Sequence, residues 1–297
     1  MRIAIVTTSF PANEGDPSGH FVRAEARELT RAGHEVRVVA PPSGGAFGWP
    51  GVAARVRERP ARLVEAAGWV MAARAQLVRL EAERVVAHWA VPCAWPVASA
   101  DGQAALEVVS HGGDVRALAR MPRPVRERIV GAIAERAVTW RFVSKALKGT
   151  LLETLGDRLR ARVERVATVR PASLEMPDVS GAIARKRRAL AGVRVAVSVG
   201  RLVPGKRVDR AIDHVAASRE VDALVVVGDG PERERLEAQA LARNVDARFV
   251  GRVAREEALA WIGAAAFLVF ASEDEGASTV LREAEALGTN VVVLTGD

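Results

Sequence analysis

The chain has 297 residues, 49% hydrophobic and 27% charged, which excludes a disordered or fibrous protein and leaves room for two ordinary domains, each with its own core. The single cysteine, Cys93, excludes an internal disulfide and fits a reducing compartment. The net charge of +7 is uneven: residues 1–175 hold 26 Lys and Arg against 18 Asp and Glu, while residues 176–297 hold 17 against 18. A basic first half suits an anionic partner, or helices solvated by arginine. There is no tyrosine and aromatics are 4%, so the stacking surfaces used to bind nucleic acid are poorly supplied and no nucleic-acid partner is expected. No apolar run reaches the length of a transmembrane helix, and MRIAIVTTSFP reads as a first strand rather than a signal peptide. The expected compartment is the cytoplasm.

Taken in order, Ile3–Thr8 is an apolar strand followed by a loop rich in Pro, Gly, Asn and Asp. A helix over Gly19–Ala32 puts Val22, Ala26 and Leu29 on one stripe and ends at Gly33. Strands follow at Val36–Ala40, Val85–His88 and Leu106–Ser110, with an arginine-studded helical region, Val52–Glu83, interrupted at Pro60. The periodicity predicts a helix over Pro124–Thr139, a short strand at Arg141–Ser144 with Ser144 capping the next helix, and a strand at Val166–Arg170. Pro171–Ser180 is the linker candidate, dividing the chain into domains 1–175 and 176–297. The second half repeats the alternation: strands at Val195–Gly200, Leu224–Gly228, Ala247–Gly251, Phe267–Ala271 and Val291–Leu294, with helices at Val208–Ala217, Pro231–Arg243, Glu256–Ala264 and after Ser278. Two β/α halves predict an α/β protein of two doubly wound domains facing across a cleft, with ligands at the carboxyl ends of the strands.

The unusual residues gather at those ends. Gly200 lets the backbone turn after its strand, and Arg201 and Lys206 bring two cations to one spot, as a diphosphate leaving group requires. Gly228 and Gly230, before Pro231, would let a ligand approach the backbone, though turn chemistry alone explains them. Arg252 and Val253 end another strand and could line a base pocket. His111 and Asp114, in His111-Gly112-Gly113-Asp114, could reach a cleft from the first half, better placed than His20, His34, His88 or His214. Around the last turn, Glu275 precedes a helix whose free N–H groups favour an anion, and Glu283 lies eight residues on. Acids beside an anion site suit sugar or ribose hydroxyls. The Glu273-Asp274-Glu275 run lacks the further ligands a divalent cation needs, so no metal is expected; neither a dinucleotide fingerprint nor a P-loop is present, so no cofactor is expected.

Together these residues resemble the retaining, nucleotide-sugar-dependent glycosyltransferases of family 4, the "glycosyl transferases group 1" type, over nearly the whole chain. The most specific part is Glu275 to Glu283 in EGASTVLREAEALGTNVVV, similar to the family's E-x7-E signature. The resemblance implies the GT-B fold of two Rossmann-like domains and transfer of a hexose from a UDP- or GDP-linked donor to a glycan or lipid-linked acceptor with retained anomeric configuration. It implies catalytic roles for His111, Arg201, Lys206 and Glu275. Donor contacts would come from Gly19, Asp114, Gly200, Gly228, Gly230, Arg252, Val253, Gly276, Ala277, Ser278, Thr279, Val280 and Glu283. By position Glu275 would meet the sugar, Glu283 the ribose, and the N–H groups of Ser278 to Val280 the diphosphate. Departures are Ser18-Gly19 in place of Gly-Gly and Glu275-Gly276-Ala277-Ser278 in place of E-G-F-G. Ending at Asp297, the chain is expected to be truncated in its C-terminal domain, lacking the final β/α unit and crossover helix. A non-catalytic sugar-nucleotide-binding paralogue and a sugar-nucleotide epimerase share the same pattern. Peripheral contact of the basic first domain with an anionic membrane is a further expectation.

Overall fold

The structure, a computed structural model, describes residues 1–13, 16, 18–42, 44–47, 52–100, 103–272 and 278–294. The chain divides into two compact units, Met1–Ala12 with Ser18–Ser173, and Asn13–Pro17 with Leu174–Asp297.

The first unit runs β1 (Arg2–Val6), α1 (His20–Arg31), β2 (Glu35–Val39), α2 (Val52–Glu58), α3 (Arg62–Leu80), β3 (Arg84–His88), β4 (Ala105–Ser110), α4 (Gly113–Arg120), α5 (Arg123–Arg136), β5 (Ala137–Phe142), α6 (Lys145–Leu152), α7 (Asp157–Val166) and β6 (Ala167–Val169). Its six strands are parallel, ordered β2-β1-β3-β4-β5-β6. Ile3–Val6, Val85–Ala87 and Leu106 with Val108–Val109 are almost wholly buried, as strands covered on both faces must be. The expected helix over Pro124–Thr139 stops at Arg136, and the strand expected at Arg141 begins at Ala137. The reason lies in pairing: Ala137 opposes Leu106 and Thr139 opposes Glu107, so the β-branched Val138 and Thr139 are drawn into the sheet. Ser144 caps α6 as predicted, its Oγ accepting the Leu147 N–H at 3.1 Å.

The second unit runs α8 (Ser180–Leu190), β7 (Val195–Val199), α9 (Val208–Ala217), β8 (Ala223–Val227), α10 (Arg233–Ala242), β9 (Ala247–Gly251), α11 (Arg255–Ala264), β10 (Phe267–Phe270), α12 (Thr279–Ala286) and β11 (Asn290–Val293). Its five parallel strands are ordered β11-β10-β7-β8-β9. Alternate strand residues feed two cores. Ala196, Leu224 and Val226 meet Ala211, Ile212 and Leu236 of α9 and α10. Val195, Val197 and Val225 meet Leu190, Leu259, Ile262 and Ala284 of α8, α11 and α12. Helices α4, α7 and α8 have no counterpart among the predicted elements.

Candidate active site: two switch points

In a doubly wound sheet the ligand crevice opens where strand order reverses, beyond the carboxyl ends of the strands. In the first unit that point lies between β1 and β3, and in the second between β7 and β10.

At the first switch point the loop after β1 leads to Gly19, which opens α1 with φ +65. A Cβ there would sit 2.1 Å from the Ser9 carbonyl oxygen, so the loop closes onto itself only with glycine. β3 ends in His88 and β4 runs into His111. The two imidazoles are nearly coplanar, at 12° with centroids 5.1 Å apart, and His88 Nδ1 lies 2.9 Å from His111 Nε2. Phe21 and Trp89 flank His111, with centroids at 4.6 and 5.0 Å. Burial, then the Arg141 guanidinium, lowers the His111 imidazole to about 3; burial, with His111 and Arg141, drives His88 well below its usual range. Both rings are therefore neutral at physiological pH.

Asp114 has three backbone partners. Read as a donor contact, it is 3% exposed, with Oδ2 accepting the Ala90 N–H at 2.8 Å and Oδ1 accepting the N–H groups of His111 and Gly112 at 3.2 and 3.1 Å. A carboxylate spending both oxygens on three backbone donors shapes the loop that carries His111. Beneath it lies a charge network absent from the predicted set. Arg141 of β5 bonds Glu25 of α1 and stands 3.4 Å from Glu107 of β4, which also pairs with Arg84 of β3. Arg141 and both carboxylates are at least nine-tenths buried, and ions at that depth persist only when paired.

At the second switch point, Gly200 and Arg201 follow β7, and the loop after β10 leads to Ser278, Thr279 and Val280 at the start of α12. Arg201 is exposed, while the stem of Lys206 crosses Gly200, its Cε 3.5 Å from where a Cβ would stand. Two cations and a helix start therefore share one sheet edge. Glu275, Gly276 and Ala277 lie outside the described residues.

Three other predicted groups have neighbours within the second unit. Gly228 and Gly230 were read as room for a ligand, yet a Cβ on Gly228 would stand 1.8 Å from the Gly200 carbonyl oxygen, and one on Gly230 2.4 Å from that of Leu202. What approaches them is the loop after β7. Glu283, expected to hold ribose hydroxyls, is 5% exposed, and its Oε1 accepts from Arg255 Nε and a terminal nitrogen at 3.2 and 3.0 Å. Burial raises its carboxyl above the usual range, partly offset by Arg255. Arg252 and Val253 follow β9, two strands from β7 and so about 10 Å away; Arg252 donates to Asp16 at 2.9 Å, and Val253 packs on the α11 core. A groove lined by Arg2, Ala4, Glu35, Arg37 and Leu80 lies toward the amino ends of β1 and β2, away from the switch point of the first unit. Among the described residues, no group of three His, Cys, Asp or Glu is placed to hold a metal ion, and no helix is long and apolar enough to cross a membrane.

Residues 182–295 match the family model described as glycosyl transferases group 1. No curated protein matches the chain. Among solved structures it is similar to HepE from Anabaena in complex with UDP-glucose, with 18% identity and a TM-score of 0.70 over 99% of this chain and 80% of that one. It is also similar to sucrose-phosphate synthase from Thermosynechococcus elongatus (18%, 0.69, 98% and 80%), and to WaaG, a glycosyltransferase involved in lipopolysaccharide biosynthesis (19%, 0.60, 98% and 80%). With two parallel Rossmann-like sheets ordered around switch points, the chain has the GT-B fold, and the family match lies within its second unit.

Proposed function

We propose that the protein is a retaining glycosyltransferase of family 4, moving a hexose from a UDP- or GDP-linked donor to a glycan or lipid-linked acceptor. The observation that carries this reading is the coincidence of the family match over 182–295 with Arg201 and Lys206 following β7 while α12 follows its neighbour β10. Departure of a nucleoside diphosphate from a sugar leaves negative charge on the phosphates, and positioned cations lower the barrier by meeting that charge as it develops. In this reading Arg201 supplies a planar fork, Lys206 a point charge, and the first N–H groups of α12 further donors. Glu275 takes sugar hydroxyls, and His111 stands at the switch point of the first unit. HepE, whose structure contains UDP-glucose, supports a uridine diphosphate donor.

A screen of UDP-, GDP- and ADP-sugars, with calorimetry for binding and NMR of the anomeric proton for turnover, tests the reading. Turnover to a product of the donor's anomeric configuration is expected. Inversion sinks the retaining assignment, conversion without acceptor indicates an epimerase, and binding without turnover indicates a non-catalytic paralogue.

One surface supports a peripheral membrane position. On α3, Val64, Met71 and Val78, seven residues apart, are 76%, 65% and 65% exposed, with Leu63 beside them at 64%. Seven-residue spacing puts them on one stripe, and Arg57, Arg59, Arg74 and Arg79 lie on or near the same helix. An apolar stripe with arginines nearby suits the headgroup region of an anionic leaflet, where a lipid-linked acceptor would be met.

A further inference from the structure

We infer that Glu25 and His88 are positioning residues that fix the tautomer of His111, holding its Nε2 protonated and leaving its Nδ1 as a hydrogen-bond acceptor for a ligand hydroxyl. The inference concerns the first unit alone, and its functional consequence rests on the glycosyl-transfer reading.

The chain of contacts starts inside α1. Glu25 gives Oε1 to Arg141, and its Oε2 stands 3.7 Å from His88 Nε2. Among the described residues neither of those two facing atoms has a hydrogen-bond partner. His88 is wholly buried. Its other nitrogen, Nδ1, meets His111 Nε2 at 2.9 Å with the rings near one plane, the arrangement of an in-plane N–H···N bond. One proton occupies that bridge, and two assignments are possible. If His88 donates across it, the neutral ring turns a bare Nε2 lone pair toward the Glu25 carboxylate, which is repulsive. If His88 keeps its proton on Nε2, facing Glu25, its Nδ1 accepts and His111 donates from Nε2. Arg141, bonded to Oε1, works against the burial that raises the Glu25 carboxyl above its usual range, and the carboxylate it favours selects the second assignment. A third group setting which nitrogen of an imidazole carries the proton is an established way of orienting a functional histidine. Phe21 and Trp89 on the flanks of the ring hinder a flip that would exchange the nitrogens.

The substitution Glu25→Gln reverses the relay without changing shape. The amide oxygen must face the Arg141 donors, which turns the NH2 group toward His88 Nε2. That nitrogen then accepts, His88 protonates on Nδ1 and donates across the bridge, and His111 is left protonated on Nδ1. A hydroxyl acceptor becomes a donor.

The test is long-range 1H–15N correlation NMR on the full chain labelled with 15N-histidine, with His111→Gln and His88→Gln assigning the signals. In the wild type at neutral pH, both His88 and His111 are expected as the Nε2–H tautomer. In Glu25→Gln both are expected as Nδ1–H, with turnover falling about 100-fold, the scale of one mis-set donor or acceptor at the reacting centre. A wild-type His111 protonated on Nδ1, or on both nitrogens, overturns the inference even if Glu25→Gln fails to fold. Unchanged tautomers in a folded Glu25→Gln also overturn it. The spectra need no turnover: the expected tautomers in a protein inactive on every donor would sustain the relay while removing the glycosyl-transfer reading.

Discussion

Arg255 and Glu283 offer the sharpest energetic test, because the pair decides whether Glu283 is available to a ligand. Arg255 spends two nitrogens on Glu283 Oε1, at 3.2 and 3.0 Å, and also donates to the Glu175 carbonyl at 2.7 Å. The two side chains are 10% and 7% exposed. Removing one partner of such a pair costs about 3–5 kcal/mol, since the other charge stays buried alone. Arg255→Met should lose that much at pH 7.5. Glu283 can then take a proton. Burial already holds its folded carboxyl above the ordinary 4.5, and losing Arg255 raises it further. Between 4.5 and the folded value the folded state binds more protons than the unfolded one, so stability falls as pH rises through that window. The deficit of Arg255→Met relative to wild type should therefore shrink on acidification toward pH 4.5 and be fully present above the folded value. Arg255→Met with Glu283→Leu, which removes both charges, should recover to within about 1 kcal/mol of wild type. Urea unfolding of the three proteins, followed by circular dichroism across pH, measures all of this. A single-variant cost below about 1 kcal/mol, a deficit independent of pH, or a double variant no better than the single would refute the reasoning.

Lys206→Ala should reduce turnover by about 10²–10³-fold with the fold intact, the scale of one lost charge-stabilising group; near wild-type rates in a donor assay would remove Lys206 from the site. Gly228→Ala places a Cβ 1.8 Å from the Gly200 carbonyl oxygen at a φ of +135. Destabilisation above about 4 kcal/mol is expected, and a melting temperature within a few degrees of wild type would contradict the packing. Replacing Val64, Met71 and Val78 together by serine should abolish low-salt retention on phosphatidylserine vesicles and leave soluble-donor binding unchanged. Equal pelleting of the triple variant would dismiss α3 as the contact.

Much of the fold was readable because parallel strands covered on both faces appear as near-continuous apolar runs, such as Val195–Val199 and Ala223–Val227. Glycines and prolines at their ends marked the turns. The boundary at Arg136 was lost because helical periodicity continues through Ala137, and only pairing with Leu106 and Glu107 ends it. Arg201 and Lys206 follow β7, as their motif places them in the chain. Asp114, Gly228, Gly230 and Glu283 have residue types that serve a ligand or the scaffold equally well, and only their neighbours distinguish the two. The Glu25–Arg141 pair spans 116 positions, beyond local pattern. A signal was nonetheless available: Glu107 in ALEVVS and Arg141 in AVTWRF are charges inside buried strands, where an ion implies a counter-ion. His88, ranked below His111 in the sequence, ends a neighbouring strand at the same sheet edge, which the strand order makes plain.

The backbone seam at Gly200, Gly228 and Gly230 has an evolutionary consequence. The Gly200 N–H donates to the Val227 carbonyl at 2.9 Å, that of Leu202 to Asp229 at 2.9 Å, and that of Gly228 to Gly251 at 2.9 Å. Three successive loops are thus stitched main chain to main chain, with no side chain needed in the joint. Positions 203 and 252 can then drift in identity while the loops stay in register. Variation in donor preference can accumulate there at little structural risk, whereas a single methyl group at either of two glycines would undo the frame that all of them share.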